Sequence, residues 1–156
     1  MKLLFKQKVF SWFDSYDVFN EHDEPVYNVK GQLSWGHRLK IFDAQGNEIG
    51  TVKERIISFL PKFEMYVGDN YLGCIKKEFS FFKPKFTIEC NNWQVDGDFF
   101  EWDYNITDTN GNIIATVSKD VFRWTDTYVI DVENPQNVLG VLMLVIAIDA
   151  EKCSRN

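Results

Sequence analysis

The sequence predicts an all-β fold with one helix: about twelve antiparallel strands in two similar halves form a closed barrel that encloses a hydrophobic C-terminal α-helix. Three observations predict this fold class. The chain contains an internal repeat, each half of the repeat reads as short strands separated by turns, and one long apolar run follows the second half. The 156 residues suit a single domain over 1–156, and the aromatic content of 16% favours strands.

The repeat is clearest between residues 41–54, IFDAQGNEIGTVKE, and residues 106–119, ITDTNGNIIATVSK. The two segments are identical at seven positions without a gap. Shorter matches upstream extend the similarity, so the pseudo-repeats span about residues 2–67 and 71–132. Two similar halves of antiparallel strands predict a sheet that closes on itself, because closure leaves no exposed strand edge.

The predicted turns carry glycine at equivalent places in the two halves. Segments such as FTIEC, FFEWDYNIT and TYVIDV alternate or nearly alternate apolar and polar residues, as strands with one buried face do. The dipeptides that contain Gly31 and Gly97 predict hairpin turns, because glycine adopts the positive φ that such turns need. Gly46 and Gly111 predict a second pair of equivalent turns.

The apolar run NVLGVLMLVIAIDA predicts a central helix over about residues 135–150. Asn134 is suited to cap the first backbone N–H groups, and Pro135 is tolerated in the first turn. The residues from 138 to 148 are apolar on every side, and in a helix they span only ~16 Å, against ~30 Å for a bilayer core. We therefore expect a helix buried in the barrel rather than a membrane span, with a buried strand as the weaker alternative. Its predicted core residues are Val138, Leu139, Val141, Leu142, Leu144, Val145, Ile146 and Ile148.

Charge and cysteine content limit the partners and the compartment. The net charge of −6 is unfavourable for binding to the phosphate backbone of nucleic acids, so we expect no nucleic-acid partner. The cysteines Cys74, Cys90 and Cys153 have no framework spacing, which predicts reduced thiols and a cytoplasmic location. Lysines interrupt the N-terminal stretch MKLLFKQKVFSWF and no small-residue cleavage site follows it, so we expect no export signal.

Known metal-binding motifs are not found in the sequence. Of the two histidines, His22 lies in the acidic segment NEHDEP, and neither it nor His37 has a second ligand at zinc spacing. The segment that begins at Asp108 starts like an EF-hand loop, but Ile113 and Lys119 replace the required glycine and glutamate. We therefore expect no metal and no cofactor.

Four carboxylates lie close together in the segment DGDFFEWD, and paired carboxylates can perform acid–base catalysis. The same placement is that of a solvated hairpin, which is the interpretation we favour. No nucleophile elbow, P-loop or dinucleotide fingerprint occurs in the sequence. The sequence thus predicts a protein that is not an enzyme. The alternative is a hydrolase that uses carboxylates among Asp96, Asp98, Glu101 and Asp103.

One basic and aromatic segment, KKEFSFFKPKF at residues 76–86, is a candidate binding site. Its phenylalanines are interleaved with lysines, a composition suited to a membrane surface. The competing interpretation is a structural hairpin with its phenylalanines turned inward. The candidate residues for lipid or partner binding are Lys76, Lys77, Lys83 and Lys85.

The doubled D-x-x-G-N-x-I-x-T-V motif, the KKEFSFFKPKF segment and the terminal IAIDA resemble the LURP-one-related family over about residues 3–150. More distantly, the chain is similar to phospholipid scramblases and to the C-terminal domain of tubby proteins. This resemblance implies a twelve-stranded barrel around a central hydrophobic helix. It also raises lipid binding as a function, because tubby domains bind phosphoinositides and scramblases are implicated in lipid movement.

The residues and the resemblance together predict a non-catalytic cytosolic binding or scaffold module, whose ligand the sequence does not name. The alternative is a peripheral phospholipid- or phosphoinositide-binding protein that meets the membrane through the Lys76–Lys85 segment. A protein partner is compatible with either hypothesis.

Overall fold

The computed structural model describes residues 1–6, 15–34, 36–55, 59–60, 62–78, 85–88, 91–98, 101–122 and 127–154. In these residues the strands are β1 (Lys2–Phe5), β2 (Ser15–Asn20), β3 (Pro25–Ser34), β4 (Gly36–Asp43), β5 (Glu48–Glu54), β6 (Lys62–Val67), β7 (Asn70–Glu78), β8 (Lys85–Ile88), β9 (Trp93–Asp98), β10 (Asp103–Thr107), β11 (Ile113–Asp120) and β12 (Thr127–Val132). A 3-10 turn at Pro135–Asn137 leads into the helix α1 (Val138–Ser154).

Antiparallel pairing joins each strand to its neighbours in sequence, and it also joins the first strand to the last. β1 pairs with β2 and with β12, so the order of hydrogen-bonded strands, β1-β12-β11-β10-β9-β8-β7-β6-β5-β4-β3-β2, returns to its start. Alternate residues of each strand face inward, as the buried Leu39 and Ile41 of β4 and Val52 of β5 show. The sheet therefore surrounds a single core.

The predicted fold class was about twelve strands closed into a barrel in two similar halves. This prediction needs correction, because neighbouring strands differ in the number of positions at which they pair. Among the described residues, β3 and β4 pair at eight positions, whereas β1 and β2 pair at three and β8 and β9 at only two. Among the residues that the structure describes, strand pairing is therefore uneven around the sheet rather than equal in two matching halves.

The hairpin turns predicted at Gly31 and Gly97 are wrong, because both glycines lie inside strands. Gly31 pairs with Leu39 of β4, and Gly97 pairs with Tyr104 of β10. Gly97 has a φ of +133°, and a Cβ built on it would lie 2.5 Å from the carbonyl oxygen of Asp103. Glycine is required there by the close approach of β10, and a dipeptide pattern does not distinguish this from a turn.

The equivalent turns predicted at Gly46 and Gly111 are confirmed. Their φ values are +85° and +81°, and their N–H groups donate to the carbonyls of Asp43 and Asp108 at 3.0 and 3.1 Å. In both turns the aspartate Oδ1 also accepts from the backbone N–H groups two and four residues further on. The repeat seen in the sequence is therefore a repeat of turn chemistry as well.

The helix α1 is buried on nearly all sides. Asn134 caps the 3-10 turn that leads into it, since its Oδ1 accepts from the N–H of Gln136 at 3.0 Å. The helix continues to Ser154, beyond the predicted end at 150, and every residue from 141 to 148 is no more than 1% exposed. Of the eight predicted core residues, seven are buried and Leu139 is half-buried. None of the described helices is long and apolar enough to cross a membrane.

Strand direction gives the structure two distinct ends. Near its start, α1 packs Leu139 and Met143 beside Gly50 at the beginning of β5, and Gly140 beside Trp93 at the beginning of β9. Near its finish, Glu151 contacts Lys77 towards the end of β7. We call the second of these the helix-end rim, which also receives the connections that follow β5 and β11. The outer face between the two ends carries the residues described next.

Candidate functional site

A groove of about 350 Å³ lies on the outer face of β4, β5 and β6. It forms there because residues alternate across the sheet: Leu39, Val52 and Met65 face the core, while their neighbours in sequence face outward. The groove is lined by Arg38, Lys40, Glu48, Thr51, Lys53, Tyr66, Gly68 and Asp69. Three of these side chains are cations in a chain whose net charge is −6.

The register of the sheet places like charges directly opposite one another at this groove. Lys40 of β4 is opposite Lys30 of β3, and Arg38 of β4 is opposite Lys53 of β5. Like-charged residues at such positions destabilise a sheet unless something compensates them. Lys40 is compensated, since its Nζ lies 2.8 Å from Glu48 Oε2, and Lys30 Nζ lies 5.0 Å from the centre of the Phe42 ring.

Arg38 and Lys53 have weaker compensation: Glu64 of β6 is directly opposite Lys53, but its carboxylate forms its contacts with Arg55 and Tyr66. Within the described part of the chain, neither forms a salt bridge with an acidic side chain. The Nε of Arg38 is shielded from solvent and has no hydrogen-bond partner there. A shielded donor without an acceptor is rare in folded proteins and often marks a place where a water or an ion belongs. The pair therefore leaves local positive charge inside a shaped groove.

The carboxylates of Glu48 and Glu64 form hydrogen bonds with other groups. Glu48 accepts hydrogen bonds from Lys40 and from Thr51, and the bond from Lys40 is the main cause of its lowered pKa. Glu64 accepts a hydrogen bond of 2.6 Å from the hydroxyl of Tyr66, which raises the pKa of Tyr66, and it pairs with Arg55 at 3.3 Å. Asp69 lies at the edge of the groove, in the turn after β6.

The four lysines predicted from the sequence have different positions. Lys76 is half-buried and opposite Lys62 of β6. Lys77 turns towards the helix, where its Nζ lies 3.0 Å from Glu151 Oε1, and only 10% of its side chain is exposed. Lys83 lies outside the described residues, and Lys85 begins β8. Lys77 therefore forms a largely buried ion pair with Glu151.

The histidines lie in separate places. His22 is exposed in the turn between β2 and β3, and its backbone N–H donates to Asn20 Oδ1 at 2.9 Å. His37 has a partner that the sequence did not indicate: its Nδ1 lies 2.5 Å from Glu54 Oε2. Among the described residues, no group of three or more histidine, cysteine, aspartate or glutamate side chains is arranged to hold a metal ion.

The four clustered carboxylates are all exposed. Asp98 and Asp103 face each other across the end of the β9–β10 pairing, and Asp98 Oδ1 accepts a hydrogen bond of 3.2 Å from the N–H of Glu101. Asp96 lies opposite Asn105 on the same ladder. This is the geometry of a polar strand connection, in which a carboxylate satisfies a backbone donor.

Sequence reasoning missed the groove because its cations come from two strands and no contiguous motif joins them. The groove could have been found from the alternation of inward- and outward-facing residues along each strand, combined with the pairing of residues across the β4–β5 hairpin. Once the turn at Gly46 is accepted, Lys40 falls opposite Thr51 and Arg38 falls opposite Lys53. Reading across the hairpin rather than along the chain would have placed the two cations together.

Comparisons with known proteins agree with the fold. The family model described as LURP-one-related matches residues 1–149. An uncharacterized protein of Bacillus subtilis (strain 168), YxjI, is 29% identical over 150 residues, which cover 96% of this chain and 92% of that protein. A protein of Arabidopsis thaliana with a known X-ray structure has the same fold, with a TM-score of 0.68 at 15% identity, and the match covers 96% of this chain and 90% of that one. The resemblance seen in the sequence is confirmed, and the chain belongs to the LURP-one-related family.

Proposed function

We propose that the protein is a non-catalytic binding module that holds a small anionic ligand in the groove on β4, β5 and β6. The observation that carries the proposal is the opposed pair of Arg38 and Lys53, two cations that form no salt bridge in the described residues, although Glu64 lies opposite Lys53 on β6. Such a pair is unfavourable for the sheet alone, and an anion between the two side chains would compensate both. A cytoplasmic location, indicated by the cysteine pattern, belongs to the same proposal.

Thermal unfolding of the full chain against a panel of anionic and neutral metabolites tests the proposal. A ligand present at 100 times its Kd stabilises the folded state by about 2.7 kcal/mol, which raises the Tm by roughly 5–10 °C for a chain of this size. We expect anions to produce such shifts and neutral compounds not to. Arg38→Gln combined with Lys53→Gln should abolish the shift, whereas Lys2→Gln, an exposed lysine on β1, should retain it.

Two results would refute this proposal. If no anion stabilises the protein, or if the double variant keeps the full shift, the groove is not a binding site. Turnover of any bound compound, followed by NMR of the ligand, would refute the non-catalytic role.

Peripheral phospholipid binding is the second candidate, and exposed apolar side chains favour it. Phe59 is 97% exposed, Phe122 is 93% exposed and Val121 is 76% exposed. They lie in the connections after β5 and β11, which reach the helix-end rim. β7 ends at Glu78 and β8 begins at Lys85, so these strand ends reach that rim as well. Apolar tips beside basic residues are suited to the interfacial region of an anionic membrane.

Sedimentation with anionic liposomes at low salt tests the second candidate. The protein should enter the pellet, and either Lys83→Glu with Lys85→Glu or Phe59→Ser with Phe122→Ser should return it to the supernatant. Lys2→Gln should not change sedimentation, because Lys2 begins β1 at the opposite end of the sheet from the helix-end rim. If the unmodified chain stays in the supernatant, this candidate is excluded.

A further inference from the structure

We infer that the groove on β4, β5 and β6 binds a sugar acid, a hydroxylated ring that carries one carboxylate, and that Arg38 and Lys53 hold this carboxylate. The inference rests on the proposed function and names the chemical class of its anion. The charges of the groove, the shape of its donors, and the polar and aromatic side chains further along it all favour this class.

Two ion pairs in and beside the groove carry no net charge. Lys40 Nζ lies 2.8 Å from Glu48 Oε2. Glu64 is directly opposite Lys53, but it forms its salt bridge with Arg55 at 3.3 Å. Because the charges within each pair cancel, neither pair attracts or repels an anion strongly.

The remaining charges of the lining favour a monoanion. They are the cations Arg38 and Lys53, which are directly opposite one another, and the carboxylate of Asp69 at the edge of the groove. The cations outnumber this carboxylate by one, so a single negative charge on the ligand balances them. A dianion would bring excess negative charge close to Asp69.

The free donor of Arg38 matches the shape of a carboxylate. Its Nε is shielded from solvent and has no hydrogen-bond partner among the described residues. In the planar guanidinium, the N–H of Nε and one N–H of Nη are parallel, and this fork fits the two oxygens of a carboxylate. Lys53, at the opposite position on β5, can add its ammonium charge to the same group. A bound carboxylate therefore supplies the acceptor that Arg38 Nε lacks.

Hydroxyl and aromatic side chains lie further along the groove. Lys40, Thr51 and Tyr66 are opposite one another across the three strands, ~7 Å along the sheet from the row of Arg38. Tyr66 packs edge-on against Tyr71 with ring centres 5.6 Å apart, and Tyr71 is 53% exposed. The C–H groups on one face of a sugar ring can pack against an aromatic face, because that face carries partial negative charge.

Asp69 offers hydrogen-bond acceptors at the far end of the groove. It follows Gly68 in the turn after β6, and within the described part of the chain it forms no salt bridge. Both oxygens of a carboxylate can accept from hydroxyl groups of a sugar. The groove volume of about 350 Å³ lies at the lower end of the range for small-molecule sites. A single hydroxylated ring with one carboxylate therefore matches the groove in charge, polarity and size.

Titration of the ¹⁵N-labelled full chain with matched probes at physiological ionic strength tests the inference. Glucuronate, glucose and glucose 6-phosphate share one ring and differ at a single carbon, which bears a carboxylate, a neutral hydroxyl or a phosphate. Acetate has the carboxylate without the ring. We expect glucuronate to shift the amide signals of Thr51, Tyr66 and Gly68, and to bind at least about tenfold more tightly than each other probe.

Three variants separate recognition of shape from attraction of charge. Arg38→Lys keeps the positive charge but loses the fork, so it should weaken glucuronate binding about tenfold. Asp69→Ala removes acceptors for the hydroxyl groups, so it should weaken glucuronate binding severalfold while acetate binding is unchanged or tighter. Lys2→Gln, an exposed lysine on β1, should change neither. If Asp69→Ala tightens both ligands alike, the groove attracts charge alone and the sugar-acid assignment is overturned.

The remaining outcomes separate this inference from the proposed function. If glucose 6-phosphate or acetate binds as tightly as glucuronate, the sugar-acid assignment is overturned and the binding module stands. If no probe shifts the groove signals, while another anion of the metabolite panel does so through Arg38 and Lys53, the assignment is again overturned. If no anion binds there at all, both proposals fall together.

Discussion

Lys77 of β7 and Glu151 of α1 form an ion pair of 3.0 Å, although 74 residues separate them in the chain. Their side chains are only 10% and 6% exposed. The pair joins the last turns of the helix to the sheet at the helix-end rim. A charge pair so shielded from water is expected to influence stability strongly when one partner is removed.

Glu151→Gln should therefore destabilise the protein by about 3–5 kcal/mol, because it leaves the ammonium group of Lys77 buried without a counter-charge. Replacing both residues, Lys77→Met with Glu151→Leu, should restore most of that loss, since an apolar pair avoids desolvation of the charges. Urea unfolding of the three proteins measures both effects. A single variant within about 1 kcal/mol of the original protein would contradict a buried pair.

Leu142→Asp or Leu144→Asp should prevent soluble folding. Both leucines are fully buried in α1, and a carboxylate at either position would be surrounded by apolar side chains. Val121→Asp is the matched control, since Val121 is 76% exposed and the same change there meets water. Soluble yield and cooperative melting are the measurements. A cooperatively melting Leu142→Asp protein would mean that the helix is not enclosed by the sheet.

Gly97→Ala and Gly111→Ala should differ in cost although both glycines have positive φ values. A Cβ at Gly111 meets open space, so only the backbone preference is lost, about 1–2 kcal/mol. A Cβ on Gly97 would lie 2.5 Å from the carbonyl oxygen of Asp103, and backbone atoms cannot yield as a flexible side chain can. We expect the Gly97 variant to lose roughly 3 kcal/mol or more, in the range of overpacking and backbone strain combined. Equal losses in chemical denaturation would contradict the tight β9–β10 contact.

Asn112→Ala should raise the pKa of Asp108. The side-chain hydrogen bond from Asn112 is the main cause of the lowered pKa of Asp108, and the ordinary value is 3.8. A carboxyl group with a lowered pKa in the folded state stabilises the protein above its unfolded pKa, and this contribution disappears as the pH falls through the folded value. The difference in stability between the original protein and the variant should therefore shrink in strong acid.

Carboxyl-carbon NMR titration measures this pKa directly. Asn110→Ala is the control in the same turn, because Asn110 donates to Asp108 only through its backbone N–H, which alanine keeps. The equivalent change Asn47→Ala should raise the pKa of Asp43, whose lowered value has the same leading cause. If Asn112→Ala leaves the pKa of Asp108 unchanged, the side-chain bond is absent in solution.

Arg38→Gln should stabilise the ligand-free protein slightly, by about 0.2–1 kcal/mol, because it removes the like-charge contact with Lys53, whereas Lys53 itself also lies opposite Glu64. Lys40→Gln should not stabilise it, since Lys40 pairs with Glu48. Thermal unfolding in low salt compares the two variants. A stability gain accompanied by loss of anion binding would indicate a residue kept for function, whereas a stability loss on Arg38→Gln would indicate a structural role.

Much of the fold follows from local patterns in the sequence. Three features each depend on chemistry within a few residues, so the sequence predicts them directly. They are the repeated turns at Gly46 and Gly111, the cap at Asn134 and the apolar run of α1. The errors arose where distant strands meet. Gly31 and Gly97 looked like turn residues, yet each is determined by a partner strand that the local pattern does not reveal.

The sequence by itself therefore determined the strand-rich class, the family and the identity of the buried helix, because alternation, turn glycines and an unbroken apolar run are local signals. Only the tertiary structure decided which charges meet. Register placed Arg38 opposite Lys53, and the direction of the helix brought Glu151 to Lys77. The physical reason is that charge interactions depend on distance in space, and pairing between strands brings together residues that the linear order keeps apart.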